Sequence, residues 1–371
     1  MDRSPFDRPT SDRPSSDRPS SDRPSSGSAA SATTAPRRIL LVMMPALNEE
    51  ATVADVLARV PRQVPGFDEV QLLVIDDGST DRTVALARAA GAAVLSHGRN
   101  LGVGAALQSG VAEAIHRGVD VAVNIDSDGQ FWPEDIPKIV LPLSEGRADF
   151  VTASRFLDPA LIPDMPWLKR WGNWGMSRLV SGLVGQSFAD VSCGFRAYSR
   201  EALLHLVLLG QFTYTQESFL VLSKKGLRMV EQPLRVRGVR EHGQSRVASN
   251  LWRYARRTVG IMFSFIRDYS PGVLFNNAAL LFLLPALGLA AFFVGHRLSV
   301  GQFSPHIWAG FLSAFLFGLS AMIFALGQVA EMVSRLRSVQ ERQLYLARRY
   351  LPQVAPQRPG GLPPLPPAEA P

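Results

Sequence analysis

Residues 124–130 read Asn-Ile-Asp-Ser-Asp-Gly-Gln. An apolar run, Val119 to Ile125, leads into them, and the helix-start signal Pro133-Glu134-Asp135 follows. Asp126 and Asp128 therefore fall at the C-terminal tip of a buried strand, the edge at which ligands bind in open α/β sheets. Carboxylates two residues apart on a loop can face one hard cation, and such a cation prefers few protein oxygens together with substrate phosphates. Asp126, Asp128 and Gln130 are candidate ligands for a divalent metal seated on the diphosphate of a nucleotide-sugar. The competing reading is a surface Asp/Gly turn.

Two other strand tips carry acids. Asp76-Asp77-Gly78-Ser79 follows the apolar run Val70 to Ile75; a carboxylate there can accept hydrogen bonds from a base or from ribose hydroxyls, or can cap a helix entry. Pro45-Ala46-Leu47-Asn48-Glu49 closes the first apolar run. Acids at three tips of one sheet edge favour a nucleotide site over chance. Gly102-Val103-Gly104 lacks the last glycine of a dinucleotide loop and reads as a helix start. Glu217, in Tyr214-Thr215-Gln216-Glu217, is a candidate base or a plain first-turn residue.

The elements that must position these residues alternate. Strands are predicted at 39–44, 70–75, 93–95, 119–125 and 150–153. Helices are predicted from an Asn48 cap to Pro61, up to Gly91, over 101–117 and from Pro133. This alternation implies βαβ units, a mostly parallel sheet and an α/β domain over residues 37–245.

Residues 1–36 repeat Asp-Arg-Pro-Ser-Ser and then run into Ser, Ala and Thr, a composition predicted to stay disordered. No apolar segment precedes the domain, so no signal peptide is predicted. Residues 246–270 mix Arg246, Arg253, Arg256, Arg257 and Arg267 with Trp252, Tyr254, Phe263 and Phe265, the make-up of a helix lying on an anionic bilayer. Stretches 273–295 and 307–330 carry no charge, and each exceeds the roughly 20 residues needed to cross a bilayer. Arginines flank the pair on both outer sides, which predicts the domain and the C-terminus together in the cytoplasm, at an inner membrane crossed twice. Residues 331–371 read as a basic helix and a Pro-rich tail.

The formal charge of +7 comes almost wholly from arginine, with four lysines. It suits phosphate ligands or an anionic membrane. No aromatic-interleaved RNA signature is present, so no nucleic-acid partner is expected. The single cysteine, Cys193, excludes an internal disulfide and a thiolate metal site, and the six scattered histidines offer no zinc pair.

Pro45, Asn48-Glu49, Asp76 to Asp81, Asp126 to Gln130 and Ala153-Ser154-Arg155, in this order, resemble the family-two inverting glycosyltransferases of GT-A fold. Within them the chain looks most like dolichyl-phosphate mannose synthases and bacterial polyprenyl-phosphate glycosyltransferases. The likeness covers about residues 38–270, and the paired apolar segments extend it. It implies a GT-A, Rossmann-like sheet with helices on both faces, then interfacial helices and two transmembrane helices.

It also implies roles. Pro45, Leu47, Glu49, Asp76, Asp77 and Asp126 would bind a GDP- or UDP-hexose. Asp126, Asp128 and Gln130 would hold Mg²⁺ or Mn²⁺. Arg155, Arg170, Arg240, Ser245 and Arg246 would meet the phosphate of a polyprenyl phosphate, with Asp128, Arg155, Arg240 and Arg246 catalytic. Asp190 to Arg196 would shape the sugar pocket. His242 and Arg246 depart from the Arg and Lys more often found there. Relatives with two spans often assemble, so a homo-oligomer is among the implied partners.

An anionic acceptor needs no strong base, only positioning and charge neutralisation. Two rivals stay open. A processive polysaccharide synthase would share the first three motifs, but Trp167 stands at the head of its expected Gln/Arg-x-x-Arg-Trp motif and Arg170-Trp171 precedes Asp190. A non-catalytic membrane scaffold would have no use for the intact Asp126, Asp128 and Gln130 set.

Overall fold

Strand β1 (Ile39–Ala46) is apolar because both of its faces are covered. Leu40, Val42 and Met44 enter one core layer, and Leu41 and Met43 the other, the division that a two-residue period imposes. β2 (Glu69–Asp76) divides the same way, with Leu72 and Val74 against Leu73 and Ile75. The computed structural model describes residues 37–163, 165, 167–208, 214–237, 260, 263, 267 and 271–350.

The sheet continues with β3 (Ala93–Ser96), β4 (Val121–Asn124), β5 (Phe150–Ser154), β6 (Arg196–Ser199) and β7 (Met229–Pro233), in the order β3-β2-β1-β4-β6-β5-β7. β6 runs antiparallel to β4 and β5, and every other pairing is parallel. Helices α1 (Val53–Ala58), α2 (Thr83–Ala89) and α4 (Ile136–Ser144) pack on one face. Helices α3 (Val103–His116), α5 (Trp167–Val184), α6 (Arg200–His205) and α7 (Tyr214–Lys224) pack on the other. This is the mostly parallel, doubly covered sheet that the resemblance implied.

Helix α1 starts later than its predicted cap at Asn48. Asn48 takes a left-handed φ of 54°; its amide donates to Ser79 Oγ and its Oδ1 accepts from the Thr80 amide. A side chain bound to the neighbouring loop cannot cap its own helix. Gly102 does open α3, at φ 95°, as its sequence suggested.

Helices α8 (Pro271–Val300) and α9 (Ile307–Tyr350) contain the two predicted spans, and both are long and apolar enough to cross a membrane. They pack along a seam of small residues, Ala279, Ala286, Ala309, Ser313, Ser320 and Gly327. Ser313 and Ser320 donate to the Ala286 and Ala279 carbonyls, each at 2.8 Å, the kind of cross-helix bond that small residues permit in lipid. Their outward faces expose Leu281, Phe311 and Phe315. α9 continues past residue 330 without a break. Residues 1–36, 351–371 and most of 246–270 lie outside the described residues; Gly260, Phe263 and Arg267 are helical.

Candidate active site

The parallel strands all end on one edge, at Ala46, Asp76, Ser96, Asn124, Ser154 and Pro233. Because β6 is reversed, it starts on that edge, with Arg196 beside Asn124 and Thr152. The three acidic tips of the sequence are therefore neighbours.

Their loops are laced together. Ser127 Oγ donates to the Pro45 carbonyl at 2.9 Å, and Thr52 Oγ1 donates to the Ser127 carbonyl at 2.6 Å. The Asp77 amide donates to the Ala46 carbonyl at 2.9 Å, and the Glu49 amide donates to Thr83 Oγ1 at 2.8 Å. So the Pro45–Glu49 loop is held against both acidic loops. Sequence reasoning missed Thr52, whose partner lies 75 positions away.

Asp76 and Asp77 behave differently. Asp76 accepts from the Ser79 amide at 2.8 Å and from Ser96 Oγ at 2.6 Å, and it ends β2 on the open edge. Asp77 turns its carboxylate to the α3 entrance. It accepts from the Leu101 and Gly102 amides at 2.9 and 2.8 Å and lies 2.9 Å from His97 Nδ1, whose Nε2 meets Ser109 Oγ. Gly78 permits this fold-back: its φ is 86°, and a Cβ there would meet the Arg99 backbone at 2.6 Å.

At the β4 tip, Asp128 Oδ1 accepts from the Gln130 amide at 3.0 Å. Gln130 exchanges two bonds with Arg237: its carbonyl accepts from the Arg237 amide at 2.9 Å, and its Nε2 donates to the Arg237 carbonyl at 3.3 Å. The Arg237 guanidinium lies 4.6 Å from the Trp132 ring centroid, and Arg59 lies 5.0 Å from the same ring. No local signal in the sequence marks Arg237 or Trp132 as neighbours of this loop. Asp126 sits over the Gly194 backbone, where an added Cβ would meet its Oδ2 at 2.7 Å and the Tyr214 hydroxyl at 3.1 Å. Burial, and then the nearby Asp126 charge, push the Tyr214 phenol well above its ordinary value. Glu217, one helical turn further along α7, is buried.

The donor set suits a hard cation. Asp126, Asp128 and Gln130 offer oxygens only. No cluster of three or more His, Cys, Asp or Glu side chains able to hold a metal occurs among the described residues. A metal here would draw part of its shell from a bound diphosphate, the habit of Mg²⁺ and Mn²⁺ rather than of zinc.

Arg155, predicted on a phosphate, pairs with Asp190. Its Nε and Nη2 meet the two oxygens of Asp190 at 2.6 and 2.9 Å, and its Nη2 also donates to Ser192 Oγ at 2.6 Å. Asp190 is fully buried. Burial alone would raise its carboxyl, but the Arg155 charge and the hydrogen bonds outweigh that and hold it below the usual carboxylate range. Glu231 accepts from the Ala189 and Asp190 amides, both at 2.8 Å, and burial raises its carboxyl.

Arg196 is also fully buried. It donates to the Cys193, Thr215 and Val191 carbonyls at 2.7, 2.7 and 3.2 Å. The Phe219, Phe150 and Tyr214 rings surround it at 5.0 to 5.7 Å. It is thus a fastener for the loop that carries Gly194.

Arg170, on α5, lines a cavity of about 590 Å³ with Arg178, Asn173, Trp174 and Phe156. Asn173 Oδ1 accepts from Ser192 Oγ at 2.8 Å, which ties the cavity wall to the Asp190 loop. Arg240, His242, Ser245 and Arg246 lie outside the described residues.

Residues 41–207 match the model for Glycosyl transferase family 2. A dolichyl-phosphate hexose transferase of Haloferax volcanii is 34% identical over 196 residues, covering 53% of this chain and 81% of the relative. A dodecaprenyl-phosphate galacturonate synthase of Rhizobium johnstonii is 26% identical over 310 residues, covering 80% of this chain and 88% of the relative. That match is too long to stop at the sheet domain and extends into the helical C-terminal part. Among solved structures, glucosyl-3-phosphoglycerate synthase of Mycobacterium tuberculosis, in complex with Mn²⁺, UDP and phosphoglyceric acid, is 27% identical with a TM-score of 0.48, covering 62% of this chain and 78% of that one.

Proposed function

Since the chain belongs to glycosyltransferase family 2, we propose that it moves a hexose, mannose or glucose, from a GDP- or UDP-linked donor to a polyprenyl phosphate, dolichyl or undecaprenyl, with inversion. One observation carries the reading. The Asp126–Gln130 tip and the Arg170 cavity belong to one sheet edge and its adjoining loop, in a chain with two helices able to cross a membrane. The printed names of two relatives, a dolichyl-phosphate hexose transferase and a dodecaprenyl-phosphate synthase, support a lipid-phosphate acceptor.

The nucleotide lies along Pro45, Leu47, Glu49 and Asp76, whose loops are already bonded into one wall. Asp77 supports that wall through the α3 entrance rather than touching the nucleotide. Asp126, Asp128 and Gln130 would hold Mg²⁺ or Mn²⁺, whose charge would offset that of the diphosphate. The acceptor phosphate oxygen is the nucleophile. It forms a bond to the anomeric carbon as the bond to the diphosphate breaks, the nucleoside diphosphate leaves with the electron pair, and no proton need move. The chain's task is to orient an anion against an anion and offset the repulsion. Arg170 serves this from the cavity, with Arg240, Ser245 and Arg246 from the late loop. Arg155 acts through Asp190, fixing the wall behind the sugar. Arginine flanks on both outer sides of the hairpin support a domain and a C-terminus in the cytoplasm, at the inner membrane.

The test is transfer by the purified full chain in vesicles, with labelled GDP- and UDP-hexoses and polyprenyl phosphate. Wild type should form a lipid-linked sugar, and Asp128→Ala should not, while still inserting in the membrane. An intact protein that yields no lipid-linked sugar from any common donor overturns the reading. Thermal stabilisation by GDP or UDP with Mg²⁺ identifies the nucleotide, because a ligand that binds only the folded state raises apparent stability.

A further inference from the structure

Past residue 330 charge returns to α9, with Glu331, Arg335, Arg337 and Arg342, so this stem has left the apolar span. One side of the stem is covered by the sheet domain. Glu341 pairs with Lys225, Tyr345 donates to Glu201, and Arg348 donates to the Leu204 and Leu206 carbonyls.

The other side is bare. Met332, Leu336, Val339, Gln343, Leu346 and Tyr350 follow one another at alternating steps of four and three. At roughly 100° per residue they fill about 80° of arc, centred opposite the arc of Glu341, Tyr345 and Arg348. Met332, Leu336 and Tyr350 are 65%, 56% and 69% exposed, and Gln343 is exposed with them. This is the a and d spacing of a coiled coil, apolar or aromatic at every position except Gln343. A contiguous apolar stripe outside lipid marks a contact surface.

We propose that this stripe is the seam of a parallel coiled coil with a second copy of this chain. The inference goes beyond the proposed reaction and shares only its membrane reading. That reading sets two stems on one side of one bilayer, pointing the same way, at the raised effective concentration that a shared support gives.

Three features select a second copy. Gln343 is the one polar residue of the seam. In a parallel pair in register it meets itself, and a side-chain amide both donates and accepts. A single polar seam residue of this kind fixes register. The second feature is charge. Arg335 and Arg342 flank the seam on one side, and Gln340 and Ala347 flank it on the other. Parallel pairing sets Arg335 beside Gln340 of the second copy and Arg342 beside its Ala347, so no like charges meet. Antiparallel pairing would set arginine against arginine. The third feature is room. α8 packs on α9 at Ser313, Ser320 and Gly327, which lead at seven-residue steps to Ser334 and Glu341 on the covered side. Neither α8 nor the described part of the sheet domain stands between two seams. The Pro-rich stretch 352–371 has no helical seam to offer in place of a second copy.

The experiment uses the full chain in vesicles at a low ratio of protein to lipid. Cys193 is buried, so a cysteine introduced by Met332→Cys or Val339→Cys is the one exposed thiol, and mild oxidation can join it only to its own copy. Each variant should give a cross-linked dimer on a non-reducing gel. Ser338→Cys, exposed but off the seam, should not. Adding Leu336→Glu and Val339→Glu to Met332→Cys places like charges across the seam without touching a contact within one chain, and should abolish the dimer.

Absence of a dimer from both Met332→Cys and Val339→Cys overturns the proposal. If a water-soluble maleimide then labels them, the face is in water; if it does not, another segment of this chain or a different protein covers it. A dimer that survives the two glutamates, or forms equally well at 338, overturns it too, because the copies then meet through another surface or by collision. The gel needs no catalysis, and carbonate extraction of the same vesicles scores membrane insertion, so failure of the seam and failure of the membrane reading are told apart.

Discussion

The Asp126 carboxylate lies against the backbone of Gly194, so closely that a methyl group there would come within 2.7 Å of Oδ2. Glycine at 194 is thus required by the carboxylate above it. Gly194→Ala must displace Asp126, Tyr214 or the loop itself, and overpacking of this kind costs about 1–3 kcal/mol. On the proposed reading Asp126 is a metal ligand, so its displacement should appear in metal use before stability. We expect sugar transfer to need a higher Mg²⁺ or Mn²⁺ concentration and kcat/KM to fall by about tenfold, one such step being about 1.4 kcal/mol. A metal titration beside a thermal melt checks this, and an unchanged titration would sink the assignment.

The Asp190–Arg155 pair invites a different expectation. Its carboxylate is fully buried, and its partner's side chain is 21% exposed. Breaking a buried pair from one side leaves an uncompensated charge and costs about 3–5 kcal/mol, whereas replacing both partners with apolar groups costs far less. Asp190→Asn should therefore lower the melting temperature more than Asp190→Leu with Arg155→Met does. The folded-state pKa is depressed. The pair's contribution is then full above the unfolded value, about 3.9, and is lost as pH falls through the folded one. The gap between wild type and Asp190→Asn should be constant at neutral pH and close only below about pH 4; a gap that closes near pH 6 would contradict it.

How much of this was legible beforehand depends on how local each signal is. The strands β1 to β5 and the Asp126–Gln130 tip show in the sequence because an apolar run and a two-residue acid spacing are complete within a few residues. Asn48 misled because its partners Ser79 and Thr80 lie over 30 positions away, and a lone Asn before two Glu residues looks like a cap. Asp190, 35 positions on, is likewise revealed as a partner of Arg155 only by the fold. The reversal of β6 is unreadable in four residues headed by an arginine.

Arg196 gives a third prediction. A buried cation held by three carbonyls and three rings has a planar fork to satisfy all of them, and lysine does not. Arg196→Lys should therefore fail to rescue, and Arg196→Met should strand the carbonyls of Cys193, Thr215 and Val191, at a cost of about 1–3 kcal/mol for each one left unsatisfied. Both variants should loosen the Gly194 loop, raising KM for the nucleotide-sugar while the far sheet edge keeps its hydrogen-exchange protection. Full activity in Arg196→Lys would show that charge alone suffices.

The stem of α9 supplies the last. Beyond residue 330 it runs about 30 Å at roughly 1.5 Å per residue, and it is fastened to the domain at two levels. Glu341, only 10% exposed, pairs with Lys225 at 2.7 Å and Arg337 at 3.2 Å. One turn on, Tyr345 donates to Glu201 at 2.7 Å and stacks on His205 at 4.2 Å, and Arg348 donates to the Leu204 and Leu206 carbonyls. These bonds hold α6 and the end of α7 against a helix long and apolar enough to cross a membrane. Glu341→Ala leaves two cations facing each other in a half-buried place and should cost about 1–3 kcal/mol, between the exposed and buried limits for ion pairs. Hydrogen exchange should quicken in α6, in the last turn of α7 and over 331–350, and remain slow in β1, β2 and β4. Lys225→Ala should act on the same elements, and the double variant should cost less than the sum, because both break one contact. Exchange that stays slow in α6 and α7 would mean the stem does not brace the domain.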